Sequence, residues 1–266
     1  MGLGPPPEHV CRAFGFSVDD AEPLRGGHAW RCGEVVLEGA HERSYAVWLA
    51  STMTALDEAV DPAELRVARP VRSSDGRWVV GGWRARRHLS GAPDERGEQS
   101  VLTAVRLHQA MATLRRPEPP SVPDAVFATA ERLAWGERYQ ALDESRGGRL
   151  FEILALACRP TALPPGLVHG ALFGALLFDD AGPPGLVDFV PCWRPVEWGV
   201  ALTAVDALVA GADSELLRRW AHLPEWPQLL LRAVLCRLAE HALDPYSPAS
   251  RLDDLRRAAK EVTQLL

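Results

Sequence analysis

The residues best placed to do chemistry lie in one short stretch, 167–189. A His169-Gly170 pair precedes an apolar run, Leu176-Leu177-Phe178, and a second run, Gly185-Leu186-Val187, leads into Asp188-Phe189. The bend between the runs is rich in Gly and Pro, which is the composition of a β-hairpin turn. A carboxylate at the end of a strand can bind a metal ion or take a proton, and a histidine in a turn can act as a base. Each also has a plain structural reading. His169 would be a hydrogen-bonded turn residue, and Asp188 a carboxylate satisfied at its strand end. A second polar group, Arg84, Arg86 and Arg87, stands near the end of an earlier strand. Its guanidinium groups could recognise an anionic ligand through planar, multi-donor contacts, or could simply form a solvated strand face.

The elements that must position these groups follow a simple order. A short helix is expected over residues 8–14, then two strands in 24–33 around Gly26-Gly27, a strand over 34–38 and a helix over 42–56. Residues 66–89 read as two strands joined at Asp75-Gly76, with alternation at Trp78, Val80 and Trp83. A linker rich in Gly, Pro and charge, 90–98, ends this part. Beyond it the apolar spacing changes from two to 3.6, beginning with Val101, Val105, His108 and Met111. Helices are expected over 101–114, up to Trp135, and over 150–158, with a proline-rich loop at 117–123. After Asp188 come helices at 199–210, 214–220, 228–242 and 252–266. Strands first and helices second is an α+β arrangement. It predicts a β-rich N-terminal lobe over 1–89, and a mostly helical C-terminal lobe over 90–266 that includes the hairpin 167–189.

Composition narrows the function. The chain has 266 residues and 47% hydrophobic content, enough for a substantial core. A net charge of −6 argues against general nucleic-acid or membrane-surface binding. The five cysteines are scattered, without CxxC spacing, so neither a disulfide framework nor a zinc site is expected. The first seven residues lack a basic segment followed by an apolar one, and no apolar run is long enough to span a membrane. A cytoplasmic protein is the expectation.

The stretch 167–189 resembles the catalytic ribbon of aminoglycoside phosphotransferases and related kinases. There the pattern reads His-Gly-Asp, an Asn a few residues later, then Ile-Asp-Phe or Ile-Asp-Trp. The strings Ser73-Ser-Asp-Gly-Arg-Trp-Val-Val80, Ala134-Trp-Gly136 and Asp188-Phe-Val-Pro-Cys-Trp-Arg-Pro195 are similar to an actinobacterial group of kinase-like proteins related to that family. Together they cover nearly the whole chain in order. The resemblance implies a two-lobed protein-kinase-like fold with an N-terminal antiparallel sheet lobe. It also implies that the required groups have been lost. Ala171 stands where the family has its first Asp, and Ala175 where it has Asn; methyl groups neither accept a proton nor bind a hard cation. Glu38 stands where the resemblance places the phosphate-binding lysine, and a carboxylate there repels phosphates. The chain's single lysine, Lys260, is near the other end. A reversed pair between Glu38 and Arg43 is conceivable. Only Asp188 survives of the catalytic acids, as the one candidate metal ligand.

The leading expectation is therefore a catalytically degenerate kinase-fold protein that binds a small molecule or a protein partner, within a biosynthetic pathway, with no cofactor and no Mg-ATP. Two alternatives stand beside it. One is an enzyme that has reused the interlobe cleft for other chemistry, with Asp188, His169, Glu38 and the three arginines as its polar groups. The other is an atypical phosphotransferase using Asp179 or Asp180 with Asp188 for metal.

Overall fold

The computed structural model describes residues 4–24, 27–40, 42–112, 114, 120, 126–180 and 182–266. Gly26 of the glycine pair and most of the expected loop 117–123 lie outside the described residues. The chain divides into two compact units, one comprising Met1–Pro93, Leu114–Ser121 and Ala175–Phe189, the other Asp94–Thr113, Val122–Gly174 and Val190–Leu266.

The first unit is built on an antiparallel sheet. Its strands run in the order Ala21–Pro23, Ala29–Cys32, Val35–Gly39, Trp83–Arg87 and Pro70–Val71, and Val79–Val80 also pairs with Trp83–Arg87. Period-two alternation gives the sheet two different faces. On one face Val35, Leu37, Trp83 and Ala85 are buried with Val10, Cys11 and Phe14 of the helix Glu8–Ala13. On the other face stand Glu38, Arg84 and Arg86. The helix Arg43–Ala59 follows, with Glu42 as its N-cap: the Glu42 carboxylate accepts the Ser44 N–H at 3.0 Å, one of the donors that a helix start leaves open.

The hairpin forms as expected, from Leu176–Asp179 and Gly182–Leu186, but it clusters with the first unit. The reason is a pairing no local pattern encodes: Gly182–Leu186 runs parallel to Arg66–Val67, with Gly185 opposite Arg66 and Leu186 opposite Val67. A boundary drawn at 89/90 divides the chain by sequence order, whereas the compact units divide it by such contacts.

The second unit is mostly helical, with Gly97–Ala112, Val126–Ala134, Gly148–Ala155, Val196–Val209, Glu215–Arg219, Trp226–Leu243 and Ser250–Thr263. Trp226–Leu243 is apolar around most of its circumference and packs against Val126–Ala134, Val196–Val209 and Ser250–Thr263, as a helix without a polar face must. One two-stranded ribbon, Pro165–His169 with Pro191–Pro195, joins them. The prolines at its ends read as loop in the sequence, so neither strand was expected. No helix among the described residues is long and apolar enough to cross a membrane.

Candidate functional site

The polar groups of the first unit meet on the sheet face opposite its core. Strand register puts Glu38 directly across from Arg84, and Val36 across from Arg86. Oppositely charged residues facing each other across strands attract, and here one carboxylate serves two arginines. Arg84 Nε and Arg86 Nε each lie 3.2 Å from Glu38 Oε1. The Arg86 contact is a hydrogen bond, while the Arg84 Nε is close enough to pair but is not aligned as a donor. Arg84 instead donates from Nη2 to Asp188 Oδ1 at 3.1 Å. A chain of charges results, Arg86–Glu38–Arg84–Asp188. Burial opposes the charge on Arg84, but Glu38 and Asp188 outweigh it and hold the guanidinium above its usual pKa. Burial, and then the Asp188 carboxylate, push the nearby Tyr45 hydroxyl up to about 12.

Several expectations change. Glu38 does form a reversed ion pair, but with Arg84 and Arg86; Arg43 is exposed at the start of its helix. The three arginines are not one patch. Arg84 and Arg86 point to one face and are occupied by carboxylates, while the pleat sends Arg87 to the face of Trp83 and Ala85. Asp179 and Asp180 do not join Asp188. The hairpin register pairs Asp179 with Gly182 at the turn and Leu176 with Leu186 at the other end, beyond which Asp188 lies. That separation is at least three residues of strand, roughly 10 Å. Asp179 accepts a hydrogen bond from Ser90 Oγ at 2.7 Å. Ala175 is buried, its carbonyl accepting the Val187 N–H at 3.0 Å.

In the second unit His169 is fully buried at the end of its strand, and its Nδ1 accepts the Ala171 N–H at 3.1 Å. His169 is thus a hydrogen-bonded residue at a turn. Its own N–H donates to His108 Nε2 at 3.2 Å, so His108 must carry its proton on Nδ1, which donates to the Ala104 carbonyl at 2.7 Å. Burial lowers the His108 pKa to about 4. Two glycines make room for this arrangement: a Cβ on Gly199 would lie 2.2 Å from His108 Cε1, and one on Gly170 would lie 2.0 Å from Phe127 Cζ.

Sequence reasoning missed the strongest polar cluster of this unit. Arg237, on the apolar helix Trp226–Leu243, donates from Nε and Nη2 to Asp206 at 2.7 and 2.6 Å and from Nη1 to Glu240 at 2.6 Å. It also donates to the Gly170 carbonyl at 2.9 Å, fixing the turn between His169 and Ala171. Two arginines, Arg232 and Arg237, within a largely apolar helix were the available signal. Among the described residues no three His, Cys, Asp or Glu side chains group as a metal site.

The neutral His108 gives a pH dependence. In the unfolded chain its imidazole titrates near 6.5, and in the fold near 4. Between those values the unfolded chain binds more protons, so the stabilisation is full above the unfolded pKa and is lost as pH falls toward 4. About 2 kcal/mol should disappear between pH 7 and pH 5. His88 and His241, lowered chiefly by burial, act in the same sense. Urea unfolding at the two pH values checks this, and His108→Gln should flatten the difference. Equal stability at both would refute it.

No family model and no curated protein matches this sequence. Solved structures do. An aminoglycoside phosphotransferase from Alicyclobacillus acidocaldarius is similar at a TM-score of 0.61 and 15% identity, over 99% of this chain and 95% of that one. An amicoumacin kinase in complex with AMP-PNP and Ca2+ gives 0.58 and 13%, over 97% and 92%. A choline/ethanolamine kinase family protein from Mesorhizobium loti gives 0.57 and 15%, over 92% of each. At such identities a likeness speaks to architecture, and with a sheet-based unit and a helical unit in the expected order, this chain has the protein-kinase-like α+β fold of aminoglycoside phosphotransferases and choline kinase-like proteins.

Proposed function

We propose that this protein keeps the kinase fold as a binding scaffold for a small molecule and does not transfer phosphate. The observation that carries the reading is Arg84 held between Glu38 and Asp188. Phosphoryl transfer needs a cation on the nucleotide phosphates and oxygen ligands around magnesium. Here the acid retained at the end of the hairpin is already paired with an internal guanidinium, and the residue in the lysine's place is itself a carboxylate bound by two arginines. Ala171 and Ala175 offer no oxygen beyond their backbones.

Mg-ATP does not fit this set of groups. A nucleotide phosphate brought to Glu38 would meet a negative charge, and a metal brought to Asp188 would compete with Arg84 for its carboxylate. The kinases of similar fold that hold AMP-PNP or ADP do not alter that chemistry, because they share the fold at 12 to 13% identity. The three-arginine anion site is not part of the proposal, since Arg84 and Arg86 are engaged. Asp188 serves as the far anchor of the ion-pair chain.

Calorimetric titration with Mg-ATP and Mg-GTP tests the reading. Binding no tighter than roughly 1 mM, equivalent to about −4 kcal/mol, is expected for both. A magnesium-dependent dissociation constant in the low micromolar range would overturn it.

A further inference from the structure

The second unit contains a cavity of about 470 Å³ whose wall includes Ala171, Phe173 and six charged residues: Glu95, Asp206, Arg237, Glu240, Arg251 and Asp254. A second cavity of about 400 Å³ shares Glu240, Pro248 and Arg251 with it, so Arg251 stands where the two meet. The combined space lies in the range of small-molecule sites.

The charges in the wall are not balanced pair by pair. Arg237 is shared by two carboxylates, Asp206 and Glu240, which leaves that trio net negative. Asp254 is paired with Arg257 at 2.9 Å. Glu95 and Arg251 remain, both in the wall, and neither side chain has an ion-pair or hydrogen-bond partner among the described residues. Arg251 is half-buried and lines both cavities. The wall thus presents one unspent guanidinium beside a surplus of carboxylate.

We infer that this cavity binds a small zwitterion, an amino acid or an amino-acid-like molecule, with its carboxylate on Arg251 and its ammonium among Glu95, Asp206 and Glu240. A guanidinium matches a carboxylate with two parallel hydrogen bonds. An ammonium supplies the donors that a surplus of carboxylate oxygens lacks. A dianionic phosphate would gain Arg251 but face four carboxylates, and a simple amine would leave Arg251 unpaired. Phe173 offers an apolar contact for a side chain. The inference deepens the scaffold reading above and rests on it.

The test is calorimetry and thermal shift on the full chain with each standard amino acid, beside the amine formed by its decarboxylation, which lacks the carboxylate, and its N-acetyl derivative, which lacks the ammonium. At least one amino acid should bind with a dissociation constant of about 1 mM or tighter, and its decarboxylated and acetylated counterparts clearly more weakly. Arg251→Met should weaken that amino acid about tenfold, the loss expected for a charge-assisted pair, while leaving amine binding unchanged. Glu95→Gln, at an exposed position with little bearing on folding, should weaken it several-fold. If no amino acid binds, if amines bind equally well, or if Arg251→Met leaves the affinity intact, the inference fails. Those failures leave the Mg-ATP result untouched, so the two readings stand or fall separately.

Discussion

Replacing Arg237 by Met is expected to destabilise the protein by about 3–5 kcal/mol, the range for breaking a buried ion pair from one side. Its side chain is only 4% exposed, and it holds Asp206, Glu240 and the Gly170 carbonyl together. Removal would strand two carboxylates near each other without their shared cation, and would free a carbonyl as well. At 2–4 °C per kcal/mol for a chain of this size, the melting temperature should fall by roughly 10 °C. Lysine should not rescue it, because a single ammonium cannot reproduce the fork of donors. Adding Asp206→Leu and Glu240→Leu to Arg237→Met should recover much of the loss, since replacing a whole buried ion group by apolar side chains is often close to neutral. A single variant that melts within about 2 °C of the native protein would contradict the structural role given to this cluster.

A second large effect is expected from Gly199→Ala. The position lies inside the helix Val196–Val209, where alanine would ordinarily gain about 1 kcal/mol over glycine. That gain is overwhelmed here. The new methyl carbon would sit 2.2 Å from His108 Cε1, 2.3 Å from Nε2 and 2.7 Å from Val168 Cγ1. The imidazole cannot retreat without losing its bonds to the His169 N–H and the Ala104 carbonyl. Overpacking of this kind costs about 1–3 kcal/mol or more, and the buried polar groups it leaves unpaired add to that. A net loss of about 3 kcal/mol, with a weaker acid dependence because His108 is no longer held neutral, is the expected outcome. Stability equal to or above that of the native protein would show that the ring and helix can part without cost.

Much of the fold was legible in the sequence because each signal was local. The switch from period two to period 3.6 near the linker, the Asp75-Gly76 turn, the hairpin with its Gly-Pro bend and the helices after Asp188 all come from neighbouring residues. The structure places them with shifts of a few residues at the ends, except that residues 66–89 form four short strands and not two, and Pro70–Val71 and Val79–Val80, on either side of the Asp75-Gly76 turn, both pair with Trp83–Arg87. What escaped was pairing at a distance. The strands Pro165–His169 and Pro191–Pro195 each read as loop, bounded by proline, and exist because they hydrogen-bond to each other across some twenty residues of chain. The hairpin reads as a self-contained ribbon; its parallel pairing with Arg66–Val67 and the bridge from Phe178 to Ala92 tie it to the first unit.

The site divides in the same way. The sequence by itself determined that positions 171 and 175 carry no side-chain oxygen and that position 38 carries no cation, which is a matter of residue type, whatever the coordinates; the loss of phosphoryl transfer that we propose rests on those identities. It also marked Asp188 and His169 as the groups worth locating. The tertiary structure alone decided what these groups do instead. Strand register, not proximity in sequence, chose Arg84 and Arg86 over Arg43 as partners of Glu38, and turned Arg87 to the other face. Packing of a helix more than sixty residues away brought Arg237 to the turn at Gly170. Charge partners are fixed by distance in space, which falls off within a few ångströms, and a linear sequence records identities but not those distances.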